Sequence, residues 1–218
     1  NLYDIASMTK ATATVPALMM LYDEKRFTLR NPVSQYVTTL KGSDKENITI
    51  REALFHETGI SSFITYYLPS IIKDSYAGRL FSNRQTEVYH AQFDETTWAR
   101  TDYKYLPNLI SSTPKLGYEL QITDNLFANS VYKDTIINAI AASKLKSKNY
   151  RYSCLNFILL KEVVEKIAKT DMNSFLQDNL YKKLGAITTT YNPLKKFEKD
   201  QIVPTEKDDF LRKQLLQG

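Results

Sequence analysis

The stretch Asp4-Ile-Ala-Ser-Met-Thr-Lys10, with the apolar run that follows it to about Glu24, constrains this chain more than any other. Leu2, Tyr3 and Ile5 suit an extended segment, and beyond Ser7 the apolar positions Ala11, Val15, Leu18, Met19 and Tyr22 recur at helical spacing. The pattern predicts a strand that turns into a helix at Ser7. A serine so placed has its hydroxyl at the positive end of the helix dipole, and Lys10, three residues on, faces the same side. Such a hydroxyl is a nucleophile only once something takes its proton, and a lysine amine does so only where desolvation or another cation has lowered its pKa. The other reading is an ordinary capping serine with a solvated lysine in the first turn. Spacing alone does not choose between them, because Ser-x-x-Lys occurs five times: Ser7/Lys10, Ser70/Lys73, Ser112/Lys115, Ser130/Lys133 and Ser143/Lys146.

With 218 residues, 43% of them hydrophobic, the chain can bury a full core as one domain, or as one domain with a large insertion. Six glycines, no Gly-x-Gly-x-x-Gly and no Walker-type lysine loop argue against nucleotide binding through those devices. The net charge of +5 comes from dispersed lysines, densest at 144–148 and 194–199, and reads as a solvated surface rather than a nucleic-acid face. A single cysteine, Cys154, excludes an internal disulfide, and His56 and His90 have no cluster of further ligands at metal spacing. Neither a metal nor a cofactor is expected. No apolar run is long enough to span a bilayer.

Along the chain, Thr49 is placed to cap a helix beginning at Ile50, with Glu52 completing a capping box and Gly59 supplying the stop. His56 reads as a structural hydrogen-bonding residue beneath that helix end rather than a general base. Residues 66–149 carry scattered aromatics and few glycines. They are read as an insertion or cap with a hairpin near Gly117–Ile122 and a helix at Thr135–Ala142. A buried helical face follows from Leu155 through Ile158, Leu159, Val163 and Ile167, then a helix capped by Asp171 and closed by Gly185. A short extended piece at Thr188–Tyr191 and a last helix from Glu206 to Gln217 complete the reading.

Tyr152, just ahead of the buried helix, is either a core tyrosine at a helix start or the partner of a Ser–Lys pair. A phenol whose anion is stabilised by lysine charge can take the serine proton and return it to a leaving group.

Four segments, in order, resemble the serine β-lactamase and D-alanyl-D-alanine peptidase superfamily, in its class C and esterase-like, penicillin-binding-protein-like branch. Tyr3-Asp-Ile-Ala-Ser-Met-Thr-Lys10 resembles the nucleophile motif. Ile48-Thr-Ile-Arg-Glu-Ala-Leu-Phe-His-Glu-Thr-Gly-Ile60 resembles the helix ending in a His-x-Ser-Gly-Leu turn, Thr58 standing for the serine. The segment from Tyr152 to Leu160 resembles the Tyr-x-Asn motif and its helix, and Leu184 to Pro193 resembles a leucine-glycine-methionine turn with its downstream threonine.

The resemblance implies an α+β, helix-rich domain of the β-lactamase/transpeptidase-like fold, missing part of its antiparallel sheet. Residues 1–218 would form one partial serine-hydrolase domain with its insertion at 66–149. It implies that Ser7 becomes acylated, that Lys10 and Tyr152 share the proton traffic, and that the Ser7 N–H forms half of an oxyanion hole. The implied substrate is an ester, a β-lactam or a D-amino-acid peptide, with no nucleic-acid partner.

Cys154 occupies the place of an asparagine that in relatives binds the substrate amide and the lysine; a thiol is a weak donor and a poor acceptor. The family's third motif, a Lys/His-Thr/Ser-Gly strand, is expected beyond residue 218 in a longer gene. An export signal is expected upstream, with a periplasmic or other extracytoplasmic location and room for fusion to another domain. The competing expectation is a catalytically impaired relative that binds cell-wall peptide or a partner protein.

Overall fold

The continuous helical run of residues 8–23 is wound in two ways in the computed structural model, which describes residues 1–217. Lys10–Thr14 is a π-helical turn and Val15–Asp23 is α1. Pro16 accounts for the change. It has no N–H to return to the preceding turn, which disrupts regular α winding and leaves carbonyls upstream without their usual partner. The Thr12 carbonyl instead accepts a hydrogen bond from the Tyr181 hydroxyl at 3.0 Å. Ala17, Leu18 and Leu21 carry the buried face.

The chain divides into two compact units. The first comprises Ile5–Ile64 and Ile136–Asn192. Besides α1 it contains α2 (Ile50–Leu54), the second half of α3 (Val131–Ala142), α4 (Cys154–Ala168) and α5 (Met172–Leu176). Its core is one cluster in which Leu155, Leu159, Leu160, Val163 and Val164 of α4 meet Ala17 and Leu21 of α1, Ile50 and Ala53 of α2, and Ile140 of α3. Each such side chain, fully withdrawn from water, contributes about 1.5–3 kcal/mol.

The N-terminal caps of α2 and α5 are those expected of the sequence. Thr49 accepts from the Glu52 N–H and Glu52 accepts from the Thr49 N–H, a complete capping box, and Asp171 accepts from the Ser174 N–H at 3.0 Å. Lys45, entirely buried, points its ammonium at the end of α3, donating to the carbonyls of Ala141 and Ser143 and pairing with Asp44 at 2.6 Å. No strand forms at Thr188–Tyr191, which is turn and irregular chain.

The second unit comprises Asn1–Asp4, Thr65–Thr135 and the chain from Pro193 onward. Its strands are two to four residues long. β1 (Phe81–Ser82), β2 (Ala91–Gln92) and β3 (Trp98–Ala99) form an antiparallel sheet with β3 central, Phe81 opposite Ala99 and Gln92 opposite Trp98. β4 (Ile110–Ser111), β5 (Leu120–Thr123) and β6 (Leu126–Ala128) form another, with β6 central. The expected hairpin is therefore present, its turn at Asp124-Asn125.

Two expectations fail here. The segment Glu206–Gln217 is not a helix but a hairpin of β7 (Glu206–Asp208) and β8 (Gln214–Leu216). Buried Asp208 decides this by accepting from the backbone N–H groups of Phe210, Leu211 and Arg212, which fixes a turn where the apolar spacing suggested a helix. The strand expected ahead of Ser7 is reduced to a single bridge between Leu2 and Ile202. No helix among the described residues is long and apolar enough to cross a membrane.

Candidate active site

Ser7 follows Ala6, a non-glycine residue in the left-handed region at φ 44°. Such a backbone costs an L-residue about 1–2 kcal/mol and here re-aims the chain into the helix. The carbonyls of Ile5, Ala6 and Ser7 accept from the N–H groups of Met8, Thr9 and Lys10, so the serine lies in the turn that opens the helical run. One turn later, Lys10 donates from Nζ to Ser7 Oγ at 3.2 Å.

Tyr152 approaches from the segment preceding α4. Its hydroxyl donates to Ser7 Oγ at 2.8 Å, and Lys10 Nζ stands 5.2 Å from its ring centroid. Cys154 completes the group, accepting from Lys10 Nζ at 3.6 Å. Tyr152 and Lys10 thus meet at Ser7 Oγ, Cys154 joins them through Lys10, and all four residues singled out in the sequence belong to the first unit. Ser70, from a competing Ser-x-x-Lys pair, is buried and donates to the Tyr67 carbonyl.

The segment that carries Tyr152 is fastened to the end of α2, residue by residue. Arg151 N–H donates to the His56 carbonyl at 2.8 Å, Ser153 N–H to His56 Nδ1 at 3.1 Å, Ser153 Oγ to the Ser61 carbonyl at 2.7 Å, and Cys154 N–H to the Ser62 carbonyl at 3.1 Å. Beneath these, the buried pair Thr58–Asn156 is joined at 2.8 Å, and Thr58 Oγ1 also accepts from the Ile60 N–H. Ser61, Ser62, Ser153 and Asn156 were not singled out in the sequence. Their signal was the polar pair Thr58/Asn156 set within two apolar segments, since a buried hydroxyl and amide need partners.

The end of α2 also differs from expectation. His56, not Gly59, takes the left-handed position after the helix, at φ 57°. His56 N–H donates to the Ala53 carbonyl and Glu57 N–H to the Glu52 carbonyl, the paired bonds of a Schellman ending. Gly59, at φ 78°, has a separate duty: its carbonyl accepts from Lys146 N–H at 2.9 Å, and an added Cβ would stand on the Lys146 carbonyl.

Electrostatics assign the protons. Burial alone would lower the Lys10 pKa, but its hydrogen bond to Tyr152 and its proximity to the ionisable groups of Cys154 and Tyr152 outweigh that, and the net direction is upward. Lys10 is therefore an ammonium at neutral pH, a fixed cation rather than a free amine base, which departs from the lowered lysine that proton abstraction by the amine requires. Burial and the Lys10 charge lower the His56 pKa, so its imidazole is neutral. Among the described residues no group of three or more His, Cys, Asp and Glu could hold a metal ion.

Over 215 residues the chain is 25% identical to a Salmonella schwarzengrund protein provisionally named D-alanyl-D-alanine carboxypeptidase, a match covering 94% of this chain and 38% of that protein. A match at 24% identity to a Salmonella paratyphi A protein of the same name has the same coverage. The octameric penicillin-binding protein homologue from Pyrococcus abyssi superposes with a TM-score of 0.51 at 18% identity, covering 99% of this chain and 38% of that one. The chain thus spans well under half the length of these relatives. It shares the mixed helix-and-sheet fold of the penicillin-binding-protein homologue. The family profile described as Beta-lactamase matches residues 1–215, and the chain belongs to that family.

Proposed function

We propose that this protein is a serine hydrolase that forms an acyl-enzyme on Ser7, with Tyr152 as its acid and base and Lys10 as the cation that sustains the phenolate. The observation that carries this reading is the convergence of the Tyr152 hydroxyl and the Lys10 ammonium on Ser7 Oγ, at 2.8 and 3.2 Å. The reactive form of the cluster is one proton short. Lys10 keeps its proton, so the phenol lacks one and takes the Ser7 proton as Oγ bonds to the substrate carbonyl carbon. The bond from that carbon to the leaving group then breaks, and Tyr152 returns the proton to the leaving atom. A water molecule, deprotonated by the same phenolate, hydrolyses the ester on Ser7 and regenerates the hydroxyl. The Ser7 N–H, at the opening of the helix, supplies one oxyanion donor; such a donor contributes about 3 kcal/mol of transition-state stabilisation.

Esters, β-lactams and D-amino-acid peptides fit this chemistry, and Cys154 tilts the choice toward esters. A thiol beside Lys10 offers no carbonyl to receive a substrate amide N–H, so an amide forfeits a contact that an ester never needs. The family likeness supports a small-molecule or peptide substrate and a location outside the cytoplasm. A second reading, a binding module for cell-wall peptide, is favoured by the same thiol.

Intact-mass measurement after incubation with a fluorophosphonate separates the two. A single adduct in the wild type that is lost in Ser7→Ala is expected. No adduct, or an adduct that persists in Ser7→Ala, would overturn the acylation chemistry.

A further inference from the structure

His56 holds the segment on either side of Tyr152 with three different contacts. Its carbonyl receives Arg151 N–H, its Nδ1 receives Ser153 N–H, and its ring lies against the Tyr152 ring with centroids 4.7 Å apart. Because Nδ1 accepts, the imidazole proton is on Nε2. The Asn156 amide also faces Nδ1 at 3.4 Å, and Phe157 backs the ring at 5.3 Å. No donor in this arrangement tolerates a proton on Nδ1. A protonated ring would confront the Ser153 N–H and the Asn156 amide with a third donor, and would set a second positive charge near Lys10.

We propose that His56 is a positioning residue of this site: its neutral imidazole aims the Tyr152 phenol at Ser7, and protonation of that ring releases the phenol and arrests acylation. The inference rests on the acylation reading above. Tyr150 and Tyr152 face the ring from the segment before α4, Asn156 and Phe157 from α4 itself, and Lys10, with Cys154 beside it, from the start of the helical run. On its own element, Arg51 and Glu57 pair with each other at 3.1 Å, and Glu52 is engaged by Lys148 at 2.6 Å. Lys10 is the charge that acts on the ring, and it opposes that of a protonated imidazole. Burial and that charge place the His56 midpoint below the ordinary 6.5. The ring is therefore neutral above that midpoint, and the contact to Ser153 is lost as pH falls through it.

The test uses three proteins and one probe. Asparagine tolerates a left-handed backbone and presents an acceptor near the position of Nδ1, yet does not titrate, so His56→Asn keeps the clasp without the proton. His56→Gly keeps the backbone and removes the ring. For the wild type, the slope of the logarithm of the fluorophosphonate labelling rate against pH is expected to steepen by about one as pH falls through the His56 midpoint, for the one proton that ring takes up. His56→Asn is expected to show no such steepening, and His56→Gly to label about tenfold to a hundredfold more slowly at pH 8. Equal slopes in wild type and His56→Asn, or a His56→Gly rate equal to wild type, would overturn the proposal.

A readout free of labelling keeps the two claims separate: NMR of the wild type while His56 titrates. Tyr152 ring and Ser153 amide signals that move with the His56 midpoint support the positioning role, and signals that stay still refute it. A wild type that never labels refutes the acylation reading instead.

Discussion

Gly59→Ala tests the fold and the site at once. Gly59 has φ 78°, and a methyl there would stand on the Lys146 carbonyl oxygen, 3.0 Å from its carbon and 3.2 Å from the Ser147 oxygen. These are backbone atoms, so no rotamer change relieves the overlap, and the 2.9 Å bond from Lys146 N–H to the Gly59 carbonyl must lengthen or break. The left-handed backbone costs alanine about 1–2 kcal/mol, and the lost bond about 1 kcal/mol more. With some residual displacement the loss comes to about 3 kcal/mol, a large share of the 5–15 kcal/mol typical of a domain.

Gly78 provides the control, since it has the same φ of 78° with nothing within 4 Å, and Gly78→Ala meets the backbone strain alone. In urea, with a slope of about 2 kcal/mol/M, the Gly59 variant is expected to unfold about 1.5 M earlier than wild type and the Gly78 variant about 0.5–1 M earlier. Because Thr58 and Ser61 flank Gly59 and anchor Asn156 and Ser153, the labelling rate of Ser7 falls beyond what the folded fraction explains. Equal midpoints for the two variants would refute the claim that the Lys146 carbonyl occupies the space a Cβ needs.

Three further outcomes are expected. Tyr152→Phe removes the hydroxyl that contacts Ser7 Oγ while keeping the ring against His56; labelling slows by about 10²–10⁴-fold with an unchanged urea midpoint, read by stopped-flow and equilibrium unfolding. Lys45→Met keeps the buried stem but strips the Ala141 and Ser143 carbonyls of their donor; stability falls by about 3 kcal/mol in the same urea assay. Cys154→Asn gives Lys10 a carbonyl partner and a substrate amide an acceptor; the ratio of amide to ester kcat/KM rises by about tenfold, measured with paired chromogenic substrates.

What could be read in the chain, and what could not, follows from the range of the forces involved. The Thr49/Glu52 capping box, the Asp171 cap and the apolar face of α4 depend on residues three or four apart, and local spacing displays them directly. The meeting of Ser7, Lys10 and Tyr152 was legible only through motif order, because Tyr152 is brought in by bonds to His56, Ser61 and Ser62, about ninety residues earlier in the chain. The terminal segment misled because Phe210, Leu211 and Leu215 have helical spacing, whereas the deciding interaction is a buried Asp208 carboxylate claiming three backbone N–H groups. Residues 65–135 resisted for a different reason: strands of two to four residues are too short to show alternation. The left-handed His56 was hidden by a nearby glycine that looked like the natural stop.

The π-helical turn at Lys10–Thr14 has a geometric corollary. Each α-helical residue advances the azimuth by about 100° and each π-helical residue by less, so the five residues of this turn sweep about the angle of four in α winding and keep Ser7 in register with the face that Ala17, Leu18 and Leu21 press into the interior. Deleting one residue between 10 and 14 is therefore expected to leave that inner face seated and Ser7 near its present azimuth. The wide turn is thus the place in this rod that absorbs a residue gained or lost without turning the serine away from the phenol.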